Sequence, residues 1–87
     1  ECVVSGRVQL VMYRDFATRK AKSLGIVGSV RNMDDGKVFV IAEGEEEMLT
    51  TYIKKLQKGS VLSHVEQVTV AWSEPQGVFT NFTIVYK

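Results

Sequence analysis

Eighty-seven residues with a formal charge of +1, 45% hydrophobic and 24% charged, are enough for one domain spanning residues 1–87. Near-neutrality removes the electrostatic case for nucleic acid or an acidic membrane surface as partner. A single cysteine excludes an internal disulfide and any Cys-x-x-Cys metal or redox pair, and it suits a reducing, cytoplasmic compartment.

No apolar run approaches the roughly 20 residues that span a bilayer. No secretory leader pattern is visible, and an opening on Glu1-Cys2-Val3 is compatible with a trimmed N-terminus. In chain order, the valine-rich stretch Cys2 to Val8 predicts a short strand with Gly6 near its end. Tyr13, Ala17, Ala21 and Leu24 then recur at spacings of four, four and three, which is one face of a helix. Gly25 falls where a C′ glycine belongs. Ile26 to Met33 predicts a second strand, and Asp34-Asp35-Gly36 a hairpin turn, because these residues tolerate positive φ. Lys37 to Glu43 is the return strand, with Val38, Val40 and Ala42 on one face and Phe39 and Ile41 on the other.

Glu45 to Lys58 predicts the second helix, with Leu49, Ile53 and Leu56 as its buried stripe and Met48 and Tyr52 beside it. Glutamates in its first turn and lysines towards its end complement the macrodipole, and Gly59 stops it. His64 to Trp72 alternates as a strand with Val68, Val70 and Trp72 on one face. A turn at 73–77 leads to a last strand, Phe79 to Tyr86, with Phe82, Ile84 and Tyr86 on one side. This order predicts a ferredoxin-like α+β sandwich, with two helices packed on one face of an antiparallel sheet of four to five strands. The fold hosts many functions, so topology alone selects none.

The segment from Gly6 to Arg14 joins the first strand to the first helix. Such a corner leaves backbone N–H groups pointing outward, and a helix N-terminus adds about half a positive charge. It favours anions, phosphate above all. Arg14 could grip two phosphate oxygens there with its planar fork. The plainer alternative is an ordinary turn at Gly6 and a solvated Arg14. Asn32 shares strand parity with Gly28 and Val30, so a core-facing Val30 puts the Asn32 amide on the helix side at the strand's end. It then either bonds the backbone of the following turn or faces a ligand. His64 has no second histidine or cysteine to make a metal site, and Asp34 and Asp35 read as turn residues. There is no nucleophile elbow, Walker motif or dinucleotide-binding glycine pattern, and Lys37 to Gly44 lacks the aromatic RNA-recognition pattern.

Together, Gly6-Arg7-Val8-Gln9-Leu10-Val11-Met12-Tyr13-Arg14 resembles the signature Gly-x-Val-Gln-Gly-Val-x-Phe/Tyr-Arg of the acylphosphatase family. Gly28-Ser29-Val30-Arg31-Asn32-Met33-Asp34-Asp35-Gly36-Lys37-Val38 resembles its second signature, Gly-x-Val-x-Asn-x-x-Asp-Gly-x-Val. The resemblance covers nearly the whole chain. It implies hydrolysis of the carboxyl–phosphate bond of acyl phosphates to carboxylate and inorganic phosphate. It implies Arg14 as the phosphate-binding arginine, Asn32 as the residue that positions the attacking water, and the backbone N–H groups of Gln9, Leu10 and Val11 as the phosphate cradle. It further implies no metal, no other cofactor and no covalent enzyme intermediate. The expected protein is a monomer, with an acyl phosphate as substrate and inorganic phosphate as product or inhibitor. One position departs: Leu10 stands where the family has its second loop glycine. At positive φ a leucine costs about 1–2 kcal/mol. The alternative expectation is therefore a catalytically weakened phosphate-binding or regulatory module of the same fold.

Overall fold

Alternation along the first strand sends Cys2 and Val4 inward, and the chain forms β1 over Cys2–Arg7. The computed structural model describes residues 1–9, 12–60 and 63–86. The elements that follow are α1 (Tyr13–Ser23), β2 (Val27–Asn32), β3 (Val38–Glu43), α2 (Glu46–Lys58), β4 (His64–Val70) and β5 (Phe82–Ile84). The strands make one sheet in the order β4-β1-β3-β2-β5. Both β1 and β2 pair antiparallel with β3, so their C-terminal ends lie at the same edge of the sheet. β5 joins β2 in parallel register, Gly28 opposite Phe82 and Val30 opposite Ile84, which makes the five-stranded sheet mixed. Among the described residues, no helix is long and apolar enough to cross a membrane.

The core lies between the helices and one face of the sheet. Val4, Val30, Val38 and Val40 come from the strands, Tyr13, Phe16, Ala17 and Ala21 from α1, and Tyr52 and Leu56 from α2. Two buried tyrosines lock the helices reciprocally. Tyr13 Oη donates to the Leu56 carbonyl at 2.7 Å, and Tyr52 Oη donates to the Ala17 carbonyl at 2.9 Å. Each hydroxyl thus has the partner that burial demands. Burial pushes the ionisation of both phenols, and of the buried Cys2 thiol, upward.

Several local expectations shift. Gly6 belongs to β1, where the register against β4 slips between Ser5 and Gly6. Its φ is +124°, and a Cβ there would run into the His64 carbonyl and the Glu66 amide of β4. This glycine, expected near the strand's end, therefore makes a bulge within the strand, and the plainer alternative of an ordinary turn does not hold. The buried stripe of α2 is centred on Tyr52 and Leu56, with Leu49, Ile53 and Met48 only partly buried. The tyrosine takes the centre because its hydroxyl reaches α1. β4 stops at Val70, leaving Trp72 beyond it and 59% exposed. The last strand contracts to Phe82–Ile84, because Asn81 turns the chain onto β2: its carbonyl accepts from the Gly28 amide, and its Oδ1 from the Phe82 amide. Gly25 does take positive φ just past α1, and its amide bonds the Lys22 carbonyl.

Candidate active site

The shared edge at the ends of β1 and β2 collects the residues that the two sequence motifs single out. Val38, the first residue of β3, pairs with Val4 of β1 on one side and with Asn32 of β2 on the other. β1 and β2 therefore finish side by side around β3. Gln9, beyond the end of β1, meets the turn after Asn32 there.

Arg14 sits in the first turn of α1, half-buried. The N-cap of that helix is Met12, in left-handed conformation at φ 57° and ψ 34°, with no side-chain cap. The first N–H groups of α1 are thus left without a side-chain acceptor at the positive end of the helix dipole. The one acid in that turn, Asp15, is turned outward to Arg19 at 3.0 Å. Among the described residues, no carboxylate pairs with Arg14. Its guanidinium carbon instead lies 5.0 Å from the centre of the Tyr86 ring. An aromatic face holds a cation without neutralising it or occupying its in-plane N–H groups.

Asn32 ends β2, partly buried. Its Oδ1 is buried with no hydrogen-bond partner. A turn-capping role for that oxygen is therefore not what the structure contains: the hairpin closes through the Met33 amide to the Lys37 carbonyl at 2.8 Å, and through Asp35 Oδ1, which accepts from the Lys37 amide at 3.1 Å. A buried acceptor left without a donor costs stability, which makes it a marker of a functional position.

Of the three cradle residues expected from sequence, Leu10 and Val11 lie outside the described residues. Gln9 is half-buried, and its side chain donates to the Met33 carbonyl at 2.7 Å and to the Lys37 carbonyl at 2.8 Å. Tyr86 was not singled out for the site by sequence. Its parity with Phe82 and Ile84 is legible, but its neighbour is set by the parallel pairing of β5. The Val85 amide bonds the Val30 carbonyl at 2.8 Å, continuing that pairing and bringing Tyr86 level with Asn32. A concavity of about 170 Å³ lies at the other end of the sheet, under the 71–79 segment, and is lined by Ile41, Leu49, Ile53, Trp72 and Phe79 among others. It contains neither Arg14 nor Asn32, and an anion has no cationic side chain to meet there.

An α/β sandwich of ferredoxin-like topology that carries at one edge, among the described residues, an arginine with no carboxylate partner, a helix N-terminus with no side-chain cap and an asparagine Oδ1 with no donor defines the class. Comparison with known proteins narrows it. The acylphosphatase family profile matches residues 1–84. The acylphosphatase of Thermus thermophilus is 46% identical over 76 residues, covering 87% of this chain and 86% of that protein. That of Thermotoga maritima is 46% identical over 83 residues, covering 95% and 91%. The crystal structure of acylphosphatase from Bacillus subtilis superposes with a TM-score of 0.94 at 36% identity, over 98% of this chain and 94% of that one. The chain belongs to the acylphosphatase family.

Proposed function

We propose that the protein hydrolyses the carboxyl–phosphate bond of small acyl phosphates, with Arg14 and the N-terminus of α1 holding the phosphoryl group and Asn32 orienting the water. The observation that carries this reading is the meeting, at one sheet edge, of an arginine that has no carboxylate partner among the described residues and an asparagine whose Oδ1 is buried without a donor. Phosphoryl transfer asks the protein chiefly for positioning and for stabilisation of charge on the equatorial oxygens. The Arg14 fork and the helix N–H groups supply the second. The Asn32 side-chain amide supplies the first by hydrogen-bonding the attacking water and aiming a lone pair of the water's oxygen at phosphorus. The water's oxygen bonds to phosphorus as the bond from phosphorus to the carboxylate oxygen breaks. The carboxylate leaves without needing a proton, and a phosphoryl oxygen of the substrate takes the water's proton. The N–H groups of Gln9, Leu10 and Val11 complete the cradle in this reading. The protein works as a monomer in the cytoplasm, and its product, inorganic phosphate, competes for the same site.

The test is hydrolysis of acetyl phosphate and benzoyl phosphate with a metal chelator present. Turnover should persist under chelation, and inorganic phosphate should inhibit it. Arg14→Lys keeps the charge and loses the bidentate fork. It should lower kcat/KM at least about a hundredfold, a loss of about 2.7 kcal/mol in the transition state. Phosphate binding without turnover in the native chain would replace this reading with a binding module. Native rates in Arg14→Lys would remove Arg14 from the mechanism.

A further inference from the structure

The side chain of Gln9 does something that its place in the first motif does not announce. We propose that Gln9 is a positioning residue, whose amide holds the phosphate-side corner of the site in register with the strand that carries Asn32. The proposal rests on the reading of Arg14 and Asn32 above. A side-chain amide has two N–H groups, and Nε2 of Gln9 lies within hydrogen-bond distance of two carbonyls, at 2.7 and 2.8 Å. Those carbonyls are not arbitrary. Met33 follows Asn32 directly, and Lys37 precedes Val38, the residue that pairs with Asn32 across the hairpin. The same Lys37 carbonyl also accepts the Met33 amide that closes the hairpin. Gln9 therefore grips both ends of the β2–β3 turn at its mouth.

The other end of the clamp is equally fixed. Gln9 follows Val8, which is 1% exposed and part of the core. Three residues later comes Met12, the N-cap of α1. A shift of Gln9 relative to the hairpin would thus be a shift of the Arg14 corner relative to Asn32. With both donors of its amide on backbone oxygens, Gln9 has no side-chain N–H left for a phosphate. It acts through the geometry of other groups, and misplacement of reacting groups by an ångström can cost on the order of a hundredfold in rate.

A double-mutant cycle on the full chain tests this, using the native protein, Gln9→Met, Asn32→Ala and the double variant. Gln9→Met keeps length and approximate volume and removes both donors. The measurements are kcat and KM for benzoyl phosphate and the inhibition constant of inorganic phosphate. Gln9→Met should lower kcat by about tenfold or more, while phosphate inhibition changes less than about threefold. In the Asn32→Ala background the same substitution should change kcat less than about twofold, because the alignment it protects is already gone. Gln9→Asn, which keeps the amide but is one methylene too short to reach both carbonyls, should show the same background dependence. It serves as the working variant should Gln9→Met lose its fold by circular dichroism. Equal losses in both backgrounds, or native kcat in a folded Gln9 variant, would overturn the positioning role and leave the catalytic reading intact. A native chain that turns over no acyl phosphate, or an Asn32→Ala variant with native kcat, would overturn the catalytic reading, and the positioning role with it.

Discussion

Met12 carries the chain into α1 at φ 57°, the one non-glycine residue at positive φ among those described, and it does so with its side chain 75% exposed. That conformation costs an L-residue about 1–2 kcal/mol, and an exposed side chain offers little packing to offset it. Glycine accepts left-handed backbone and serves well as an N-cap, but it raises the entropy of the unfolded chain by about 0.4–1 kcal/mol. The strain is the larger quantity. Met12→Gly should be neutral to stabilising, by up to about 1 kcal/mol in urea unfolding; a loss beyond that would mean that the Met12 side chain holds the corner together. Asn32 is a second residue whose local chemistry runs against stability. Its Oδ1 is buried without a partner, a state that costs about 1–3 kcal/mol. Asn32→Ala should therefore leave the melting temperature unchanged or raise it, while kcat falls about a hundredfold and phosphate inhibition moves little, since orienting water matters in the transition state and not for anion binding. Severe loss of phosphate inhibition with turnover spared would reverse that assignment.

At the scale of elements, β2 is the piece on which the proposed site depends, since it bears Asn32 and lies between β3 and β5. It can lie that close to β3 only because of Gly28, at φ +148°. A Cβ built there collides with the Ile41 carbonyl on β3. Backbone cannot retreat as a flexible side chain can. Gly28→Ala should destabilise the protein by about 3 kcal/mol or more, through strain at a conformation reserved for glycine plus a forced opening of the β2–β3 ladder. Thermal or urea unfolding measures it directly. A loss below about 1 kcal/mol, the ordinary scale of a point substitution, would show that β2 can slide to accommodate a methyl group. The same opening would shift Asn32 relative to Arg14, so activity should fall even at temperatures where the variant stays folded.

At the scale of the whole molecule, the helices are joined by hydroxyl groups that must stay protonated. Tyr13 and Tyr52 both ionise at higher pH in the folded protein than in the unfolded chain, because burial disfavours the phenolate. The unfolded state therefore releases its tyrosine protons first, near pH 10. Stability from this source is fully present below that pH. Above it the unfolded state binds fewer protons than the native one, and stability falls by up to about 1.4 kcal/mol per pH unit for each tyrosine. Cys2 contributes with the same sign from a slightly lower pH, since its thiol is raised by burial as well. Urea midpoints should be flat through neutrality and drop steeply above about pH 10. Tyr13→Phe should cost about 1 kcal/mol at neutral pH for the lost bond to the Leu56 carbonyl, and should make the alkaline decline shallower by one proton. A decline of native steepness in that variant would show that Tyr13 is not one of the groups responsible.

What the sequence determined by itself is what depends on neighbours along the chain. Helical spacing placed α1 and α2, alternation placed β1 to β4, Asp-Gly placed the hairpin, and two motifs named Arg14 and Asn32. All of these are encoded within about a dozen residues, the range over which backbone geometry and side-chain period act. Tertiary structure decided what depends on partners distant in sequence. Gly6 reads locally as an ordinary residue near a strand end, yet it is a bulge, because β4 packs so closely that a Cβ there would meet the His64 carbonyl. Tyr52 reads as a flank of the α2 stripe, yet it is the centre, because a carbonyl of α1 waits for its hydroxyl. Trp72 alternates like a strand residue, yet it lies outside one, because β4 ends at Val70. Tyr86 reads as a strand residue and instead rests against Arg14, because β5 is drawn in parallel along β2, a choice no local pattern records. Gln9 reads as part of a loop, and only its approach to a hairpin 24 to 28 residues away gives its amide two carbonyls to hold. Periodicity specifies which way a side chain points; it carries no information about which backbone atoms will be there to meet it.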